Sequence, residues 1–252
     1  MTIYIEPFEG INDFDINSYS KENPLHDYKF SENIFRPTGN DPHLILRKLD
    51  AAHWNSILTN RLLSVNLNFS YCMFYFYKGI PDEEWYISPG RGGQSVEYYP
   101  NFENKHYSNL YNFTYFADIY FLKAYTVCET IGHLLFKFYE FKIDEKNSLD
   151  QISFNSAIYR LKNIYPDFYK ALNKVKYSDA FKKGVAMRND IAHNHPPYEI
   201  TSGIRFSSKG ASFGIGEYTT AGEIKKVMID FMESIKKLFE ILHKYLADSK
   251  LK

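Results

Sequence analysis

The sequence predicts a mainly α-helical protein, an antiparallel helical bundle with a small inserted β-hairpin. Three observations support this fold class: long stretches with apolar residues at helical spacing, capping residues at the start of several of these stretches, and one short alternating stretch typical of a hairpin. The 252 residues, of which 44% are hydrophobic, are enough to bury a substantial core.

The first 40 residues are expected to form an irregular N-terminal segment. The stretches "EPFEG", "ENPLHDY" and "RPTGN" place Pro, Gly and Asn at short intervals, and these residues favour turns over regular elements. Residues 41–252 are expected to form a single helical-bundle domain.

Asp41 and Pro42 predict the start of the first long helix, because Asp is a favoured N-cap and Pro is favoured at the first helical position. Leucines at helical spacing follow, and the helix is expected to continue to about Lys78. For its last part, "VNLNFSYCMFYFY", a strand is the alternative. Gly79 and Pro81 end the element in either case.

Residues 79–110 contain few periodic apolar positions and are expected to form a long loop insertion. Loops of this length inside a compact domain are often functional or mobile. A second long helix is predicted over about 112–142, and its apolar residues on nearly every side indicate deep burial. Shorter helices are predicted near 152–164 and 167–176.

A further helix is predicted over about 179–194, with Ser178 as its cap. It must stop before Pro196 and Pro197, because a residue that precedes proline is disfavoured in the α region. Residues 203–217 then read "GIRFSSKGASFGIGE", in which apolar residues alternate on both sides of a Ser-Lys-Gly turn. This pattern predicts a β-hairpin.

The last helix is the clearest element of the sequence. Thr220 and Glu223 form a capping box at its start. Apolar residues then follow a single helical stripe: Ile224, Val227, Met228, Phe231, Ile235, Leu238, Leu242 and Leu246. Because such a stripe needs a partner to cover it, it indicates packing within a bundle.

Charge and cysteine content argue against several classes of function. Thirty basic and thirty acidic residues cancel, so any binding of nucleic acid must use a local patch. Cys72 and Cys128 have neither disulfide-framework nor metal-ligand spacing, and their apolar surroundings favour reduced thiols in a cytoplasmic protein. Neither a leader-like N-terminus nor an apolar run long enough for a membrane span is seen, so no membrane association is expected.

The stretch "MRNDIAHNHPP", residues 187–197, is the strongest candidate for a functional site. His193 lies in the last helical turn, where exposed carbonyls favour a protonated imidazole, so it can exchange a proton near neutral pH. Asn189, on the same helix face, can hydrogen-bond the ring. Arg188 lies ~140° around the helix from His193, so its side chain can swing toward the ring if the helix loosens near the prolines, or a second copy of the protein can complete the site.

A purely structural motif is the alternative. Arg188 can pair with a carboxylate such as Asp190 or Glu199, and His193 can cap the final carbonyls of the helix. Both interpretations are open from the residues alone.

The residues "RNDIAH" resemble the Arg–(four to six residues)–His motif of the HEPN superfamily, including the Asn that commonly follows the Arg. The fuller "RNDIAHNHPP", ahead of a loop and a capped amphipathic helix, is similar to the Cthe2314-like branch of that superfamily. The resemblance covers roughly residues 110–247, and no resemblance is recognised in residues 1–100. It implies a HEPN-like helical bundle, often dimeric, that in many members is a metal-independent endoribonuclease or the toxin of a toxin–antitoxin pair.

The resemblance also implies a role for each motif residue. Arg188 would bind the scissile phosphate and stabilise its developing charge, His193 would act as general base or acid, and Asn189 would orient the ring or the phosphate. RNA supplies its own nucleophile, the ribose 2′-hydroxyl, so neither a metal nor a cofactor is expected and DNA would be inert. A homodimer would bring two Arg–His pairs into one cleft, and an antitoxin or another protein is implied as a partner.

Further residues are candidates for substrate binding. Lys182 and Lys183 can form a basic strip on the motif helix, Arg91 lies in the glycine-rich "PGRGGQS", and His195 follows the motif directly. The alternatives are that the two lysines are simply solvated, that the loop around Arg91 is flexible, and that His195 is an ordinary loop residue. The competing hypothesis for the whole protein is a non-catalytic helical module that binds a partner protein, a nucleotide or RNA.

Glu129 and His133 lie one helical turn apart, a spacing that can hold a metal ion. No further His, Cys or carboxylate pair is recognisable that would complete such a site. We therefore expect a satisfied pair in the core rather than metal ligands.

Overall fold

Helices dominate the structure, and the prediction of a mainly α-helical fold is confirmed. The computed structural model describes residues 3–28, 32–36, 40–208 and 210–248. None of the helices in these ranges is both long and apolar enough to cross a membrane. The described elements, besides two 3-10 turns, are α1 (Ile16–Tyr19), α2 (Pro42–Tyr77), β1 (Tyr86–Ile87), β2 (Glu97–Tyr98), α3 (Asn104–Tyr139), α4 (Phe154–Leu161), α5 (Pro166–Lys176), α6 (Asp179–His193), β3 (Ile204–Ser207), β4 (Gly210–Phe213) and α7 (Ala221–Asp248).

The centre of the bundle is the pair α2 and α3, each 36 residues long. Near the start of α2, Arg47 Nε donates to Phe138 O at the end of α3 (2.7 Å). Near the end of α2, Cys72 Sγ lies 3.7 Å from Phe113 O in the first part of α3. Because the early part of one helix meets the late part of the other, the two helices are antiparallel.

The last part of α2 is helical, so the alternative of a strand over "VNLNFSYCMFYFY" is wrong. The helix begins as predicted, with Pro42 at the first helical position and Asp41 Oδ1 accepting from His43 N at 3.0 Å. Its last turns carry Phe69 and Tyr75, both fully buried. Contact with other helices on several sides produces an apolar run that short-range alternation cannot distinguish from a buried strand.

α7 packs against α3, α5 and α6, so its apolar stripe is covered. The Tyr120 hydroxyl of α3 donates to a backbone carbonyl of α7 at 2.8 Å. The Phe168 ring of α5 stacks on Tyr245 with centroids 4.7 Å apart, and the Phe181 ring of α6 meets Phe231 edge-on at 5.5 Å. Through these contacts, α7 completes the hydrophobic core of the bundle.

The start of α7 is hydrogen-bonded to the segment that follows α2. The predicted capping box is present, with Glu223 Oε2 accepting from Thr220 N (2.9 Å) and Thr220 Oγ1 accepting from Glu223 N (3.3 Å). In addition, buried Asp82 accepts from Ala221 N and from the Tyr218 hydroxyl, each at 2.7 Å. Burial raises the pKa of Asp82, and these two donors offset part of that effect.

The region between α2 and α3 contains more regular structure than the sequence indicates. α3 begins at Asn104 rather than near residue 112, and in its first turn His106 Nδ1 accepts from Glu103 N at 3.0 Å, which is one half of a capping box. A histidine in place of the usual Glu or Gln hides this capping box from a sequence search. The antiparallel strands β1 and β2 also lie within residues 79–110, and two-residue strands are too short to give a periodic pattern.

The hairpin predicted over residues 203–217 forms from β3 and β4, with Ile204 opposite Phe213. Lys209, at its turn, lies outside the described residues. Both strands are exposed along their whole length, so this hairpin adds no residue to the core.

Gly132 allows α3 to approach the start of α4. A Cβ atom at Gly132 would lie 2.6 Å from Phe154 N and 2.7 Å from Ser153 O, closer than real side chains come to backbone. Overpacking costs up to about 3 kcal/mol and Ala recovers ~1 kcal/mol through helix propensity, so Gly132→Ala is expected to lower the free energy of unfolding by about 1–2 kcal/mol. Denaturant unfolding followed by circular dichroism measures this change.

Gly222→Ala in α7 is the matched control, because the nearest heavy atom to a Cβ there is Thr220 Oγ1 at 4.0 Å. This variant is expected to be at least as stable as the wild type. Equal stability of the Gly132→Ala variant and the wild type would contradict the close packing of α4 on α3.

Candidate functional site

The motif predicted to carry function lies at the end of α6, and local signals fix both ends of this helix. At its start, Ser178 Oγ accepts from Phe181 N at 3.3 Å. At its end, α6 stops at His193, three residues before the double proline that begins at Pro196. The helix predicted over 179–194 is thus confirmed to within one residue, and His193 stands exposed in its last turn.

Three side chains of the motif come together. Arg188 Nη1 donates to Asn189 Oδ1 at 2.9 Å and lies 3.5 Å from His193 Nε2. The arginine reaches the imidazole although α6 remains regular, so neither a loosened helix nor a second copy is needed for the contact. An N–H of Arg188 can donate to Nε2 only when that nitrogen carries no proton.

The guanidinium of Arg188 rests on an aromatic ring from α3. Its central carbon lies 4.6 Å from the centroid of the Tyr125 ring, a cation–π distance. The half-buried Arg188 has no hydrogen-bond partner for Nε among the described residues. The ring of Tyr125 and the amide of Asn189 therefore hold the guanidinium in place.

The carboxylate of Glu129 lies near the hydroxyl of Tyr125. Burial raises the pKa of the Tyr125 hydroxyl, and the charge of Glu129 and a hydrogen bond to it raise the pKa further. Glu129 Oε2 also accepts from Phe154 N at 3.3 Å, at the start of α4. One carboxylate thus links the ring beneath Arg188 to the N-terminus of a neighbouring helix.

Arg188 keeps its charge unneutralised, since no carboxylate of the described ranges forms an ion pair with it. Asp190, the partner suggested by a purely structural motif, instead accepts from Asn194 Nδ2 at 3.0 Å. Such a cation, partly desolvated and next to an exposed imidazole, is suited to bind an anionic group.

Glu129 and His133 do not face a common site. Glu129 contacts the start of α4, whereas the His133 ring stacks on Trp54 with centroids 4.3 Å apart and planes 7° apart. Burial lowers the pKa of His133, and the nearby charge of Arg61 acts in the same direction. Within the described part of the chain, no group of three or more His, Cys, Asp or Glu is arranged to hold a metal ion.

A groove of about 350 Å³ opens beside the motif, between α4 and α6. Tyr125 and Asn189, which both contact Arg188, line this α4–α6 groove together with Lys182. Lys183, the neighbour of Lys182, is exposed and does not line the groove. Of the two lysines proposed as a basic strip, the structure therefore brings Lys182 to the motif.

The other two candidates for substrate binding have local partners. Arg91 Nη1 donates to Pro100 O (2.8 Å) and its Nη2 donates to Asn101 Oδ1 (3.1 Å), so the guanidinium is bound within its own loop. The exposed His195 donates from Nδ1 to Pro196 O at 3.0 Å. Among the described residues, neither side chain forms a hydrogen bond with Arg188 or His193.

Sequence patterns did not identify Tyr125 as part of the site. It precedes the motif by more than sixty residues and belongs to an aromatic-rich buried helix, where one more tyrosine carries no distinguishing signal. The spacing of Tyr125 and Glu129 is compatible with a hydrogen bond on one helix face. Only the packing of α6 on α3 shows that this face meets Arg188.

The segment that follows the motif is hydrogen-bonded to α3. The Tyr198 hydroxyl donates to Asp118 Oδ1 at 2.6 Å. Burial raises the pKa values of both groups, and the nearby charge of Glu199 raises them further. This contact fixes the chain directly after the prolines that end α6.

Asp118→Asn is expected to be more stable than the wild type at neutral pH, because the amide keeps an acceptor oxygen without a buried charge. The pKa of Asp118 in the folded protein is raised above its ordinary 3.8. The stability that proton binding at Asp118 adds is therefore complete below pH 3.8 and is lost as the pH rises through the folded-state value. The advantage of the variant should shrink as the pH falls toward that window, which urea unfolding across pH measures.

Asp27→Asn controls for the same exchange at an exposed position, where the side chain is 97% accessible. It is expected to differ little from the wild type at every pH. An Asp118→Asn variant that is less stable than the wild type at neutral pH would show that the charged hydrogen bond outweighs the burial of Asp118.

Comparison with known proteins agrees with the helical architecture. The model of the Cthe2314-like HEPN family matches residues 54–250, from within the first half of α2 past the end of α7, so the family match begins well before the range of about 110–247 expected from the sequence. Neither the curated proteins nor the solved structures gave a significant match. Since the match covers most of the chain and includes the whole of α6, the chain belongs to the Cthe2314-like HEPN family.

Proposed function

We propose that this protein is an endoribonuclease that cleaves RNA by attack of the ribose 2′-hydroxyl on the adjacent phosphodiester, without a metal ion. The distance of 3.5 Å between Arg188 Nη1 and His193 Nε2, at an exposed helix end, is the observation that supports this activity most directly. A positively charged phosphate ligand and a proton acceptor lie within reach of a single phosphodiester.

Arg188 would bind the scissile phosphate. Its guanidinium has several N–H donors in a rigid planar fork, and Nη2 has no partner among the described residues. As the 2′-oxygen attacks, negative charge grows on the phosphoryl oxygens, and a cation fixed in advance on Tyr125 stabilises that charge without rearrangement. Asn189 would hold the guanidinium in its position.

His193 would transfer the protons. The neutral imidazole takes the proton of the 2′-hydroxyl while the bond from O2′ to phosphorus forms, and the resulting imidazolium donates that proton to the 5′-oxygen as the bond from phosphorus to that oxygen breaks. The products are a 2′,3′-cyclic phosphate and a free 5′-hydroxyl. Because DNA lacks the 2′-hydroxyl, it would not be cleaved.

The proposal includes the biological setting implied by the family. Two copies would pack around a two-fold axis as a homodimer, and the cytoplasmic protein would act as a toxin or defence component with an antitoxin or another protein as partner. RNA is its proposed substrate. Lys182, which lines the α4–α6 groove beside the motif, would contact the RNA backbone.

Wild-type protein is expected to cleave labelled single-stranded RNA in EDTA and to leave cyclic-phosphate ends. Arg188→Ala and His193→Ala are each expected to lower the cleavage rate by about 100-fold or more, the size typical of losing a general base or one group that stabilises the transition state. Arg188→Lys keeps the charge but loses the planar fork, so it should retain only part of the activity. Gel electrophoresis with end-group analysis measures both rate and product.

Arg205→Ala and His53→Ala serve as matched controls, since both residues are exposed and lie on other elements. They should cleave as the wild type does. Activity that survives unchanged in the Arg188→Ala and His193→Ala variants would exclude this site. If the folded wild type cleaves no RNA under any condition, the non-catalytic binding module is the better description.

A further inference from the structure

The proposed cleavage chemistry does not explain why aromatic, apolar and basic side chains line the α4–α6 groove. We propose that it is a subsite that binds one unpaired base of single-stranded RNA next to the scissile phosphate. This inference rests on the proposed function and deepens it, because it names what the site recognises besides the sugar–phosphate backbone.

Apolar side chains form the floor of the groove. Phe154 and Phe181 line it and are only 2% and 4% exposed, with ring centroids 6.0 Å apart and planes inclined by 35°. Val185 and Ala186 of α6 complete this surface. A space of about 350 Å³ over such a floor suits a planar aromatic ligand such as a nucleobase.

An exposed tyrosine stands at the rim. Tyr177 lines the groove and is 59% exposed, so one of its faces can receive a base. The ammonium groups of Lys176 and Lys182 lie 5.1 and 5.8 Å from the centroid of its ring. A base that stacks on Tyr177 would take the place of one ammonium group, and the long lysine side chains can then turn to the neighbouring phosphates.

The groove also offers a group that can form hydrogen bonds with a base edge. Asn155, at the first turn of α4, is exposed and lines the groove, and its side-chain amide forms no hydrogen bond with the described residues. An amide presents both a donor and an acceptor, as the edges of unpaired bases do. Together, the stacking surface and the amide can recognise a base without a paired strand.

Two shared residues connect the groove to the cleavage site. Tyr125 carries the guanidinium of Arg188 on its ring, and Asn189 accepts a hydrogen bond from it. Both also line the groove. A phosphate on Arg188 and a base in the groove would therefore belong to the same or to adjacent nucleotides.

Charge distinguishes this groove from a larger one between α5 and α7. That second groove, of about 560 Å³, is lined by Asp230, Glu233 and Glu240 as well as lysines. The α4–α6 groove is lined by Lys176 and Lys182 and by no carboxylate. An RNA strand is attracted to the α4–α6 groove and repelled in part by the acidic one.

The test uses the His193→Ala protein, in which RNA stays intact, and a short oligouridine that carries one 2-aminopurine. Stacking on an aromatic ring quenches the fluorescence of this base. In the His193→Ala background, added Tyr177→Ala is expected to abolish the quenching and to weaken binding about 5- to 150-fold, the range for loss of one base–aromatic stack. Tyr177→Phe keeps the ring and should retain both properties.

Tyr159→Ala in the same background is the matched control, because Tyr159 is 70% exposed on α4 but does not line the groove. It should leave quenching and affinity unchanged. Lys182→Ala should instead weaken binding of every sequence about equally and reduce its salt dependence.

The outcomes separate this inference from the proposed nuclease activity. Equal quenching and affinity with and without the Tyr177 ring, or no binding at all, would overturn the base subsite even if wild-type protein cleaves RNA. Conversely, binding that depends on Tyr177 in a protein whose wild type never cleaves RNA would support the subsite and refute the nuclease.

Discussion

The contact between the Arg188 guanidinium and the Tyr125 ring is the interaction on which the candidate site depends. A partly buried cation is usually neutralised by a carboxylate, and an ion pair would leave little charge for a ligand. An aromatic face stabilises the cation by about 0.5–2 kcal/mol and leaves its charge in place. Glu129, whose charge raises the pKa of the Tyr125 hydroxyl, also accepts from Phe154 N at the start of α4. The charge of the site is thus maintained by packing between helices.

Close helix packing depends on two glycines that flank this region. A Cβ at Gly132 of α3 would meet the backbone of Ser153 and Phe154, and one at Gly184 of α6 would lie 2.3 Å from the Phe231 ring. The first brings α4 close to α3, and the second brings α6 close to α7. Because Tyr125 is on α3 and Arg188 on α6, the same close packing determines how well the ring and the guanidinium meet.

The sequence was sufficient to predict those features of the fold that short-range interactions determine, such as the ends of helices. Asp41, Ser178 and Thr220 cap their helices as predicted, and the motif from Arg188 to His193 lies at a helix end. Contacts between distant segments escaped prediction, because no short-range pattern encodes them. Tyr125 beneath Arg188 and the exposed Tyr177 at the groove are single tyrosines in a chain with 22 of them. The start of α3 was missed because its cap uses an unusual partner.

The N-terminal residues are part of the folded unit although they precede the family match. Glu6 N and Phe8 N donate to Ser108 Oγ and Asn112 Oδ1 on α3, and Leu25 is buried. A fragment that began at residue 54 would also lack the first turns of α2, where Arg47 binds the end of α3. Truncation at the start of the family match would therefore uncover apolar surface along both central helices, where Phe8 packs on Phe116 and Phe14 on Tyr71.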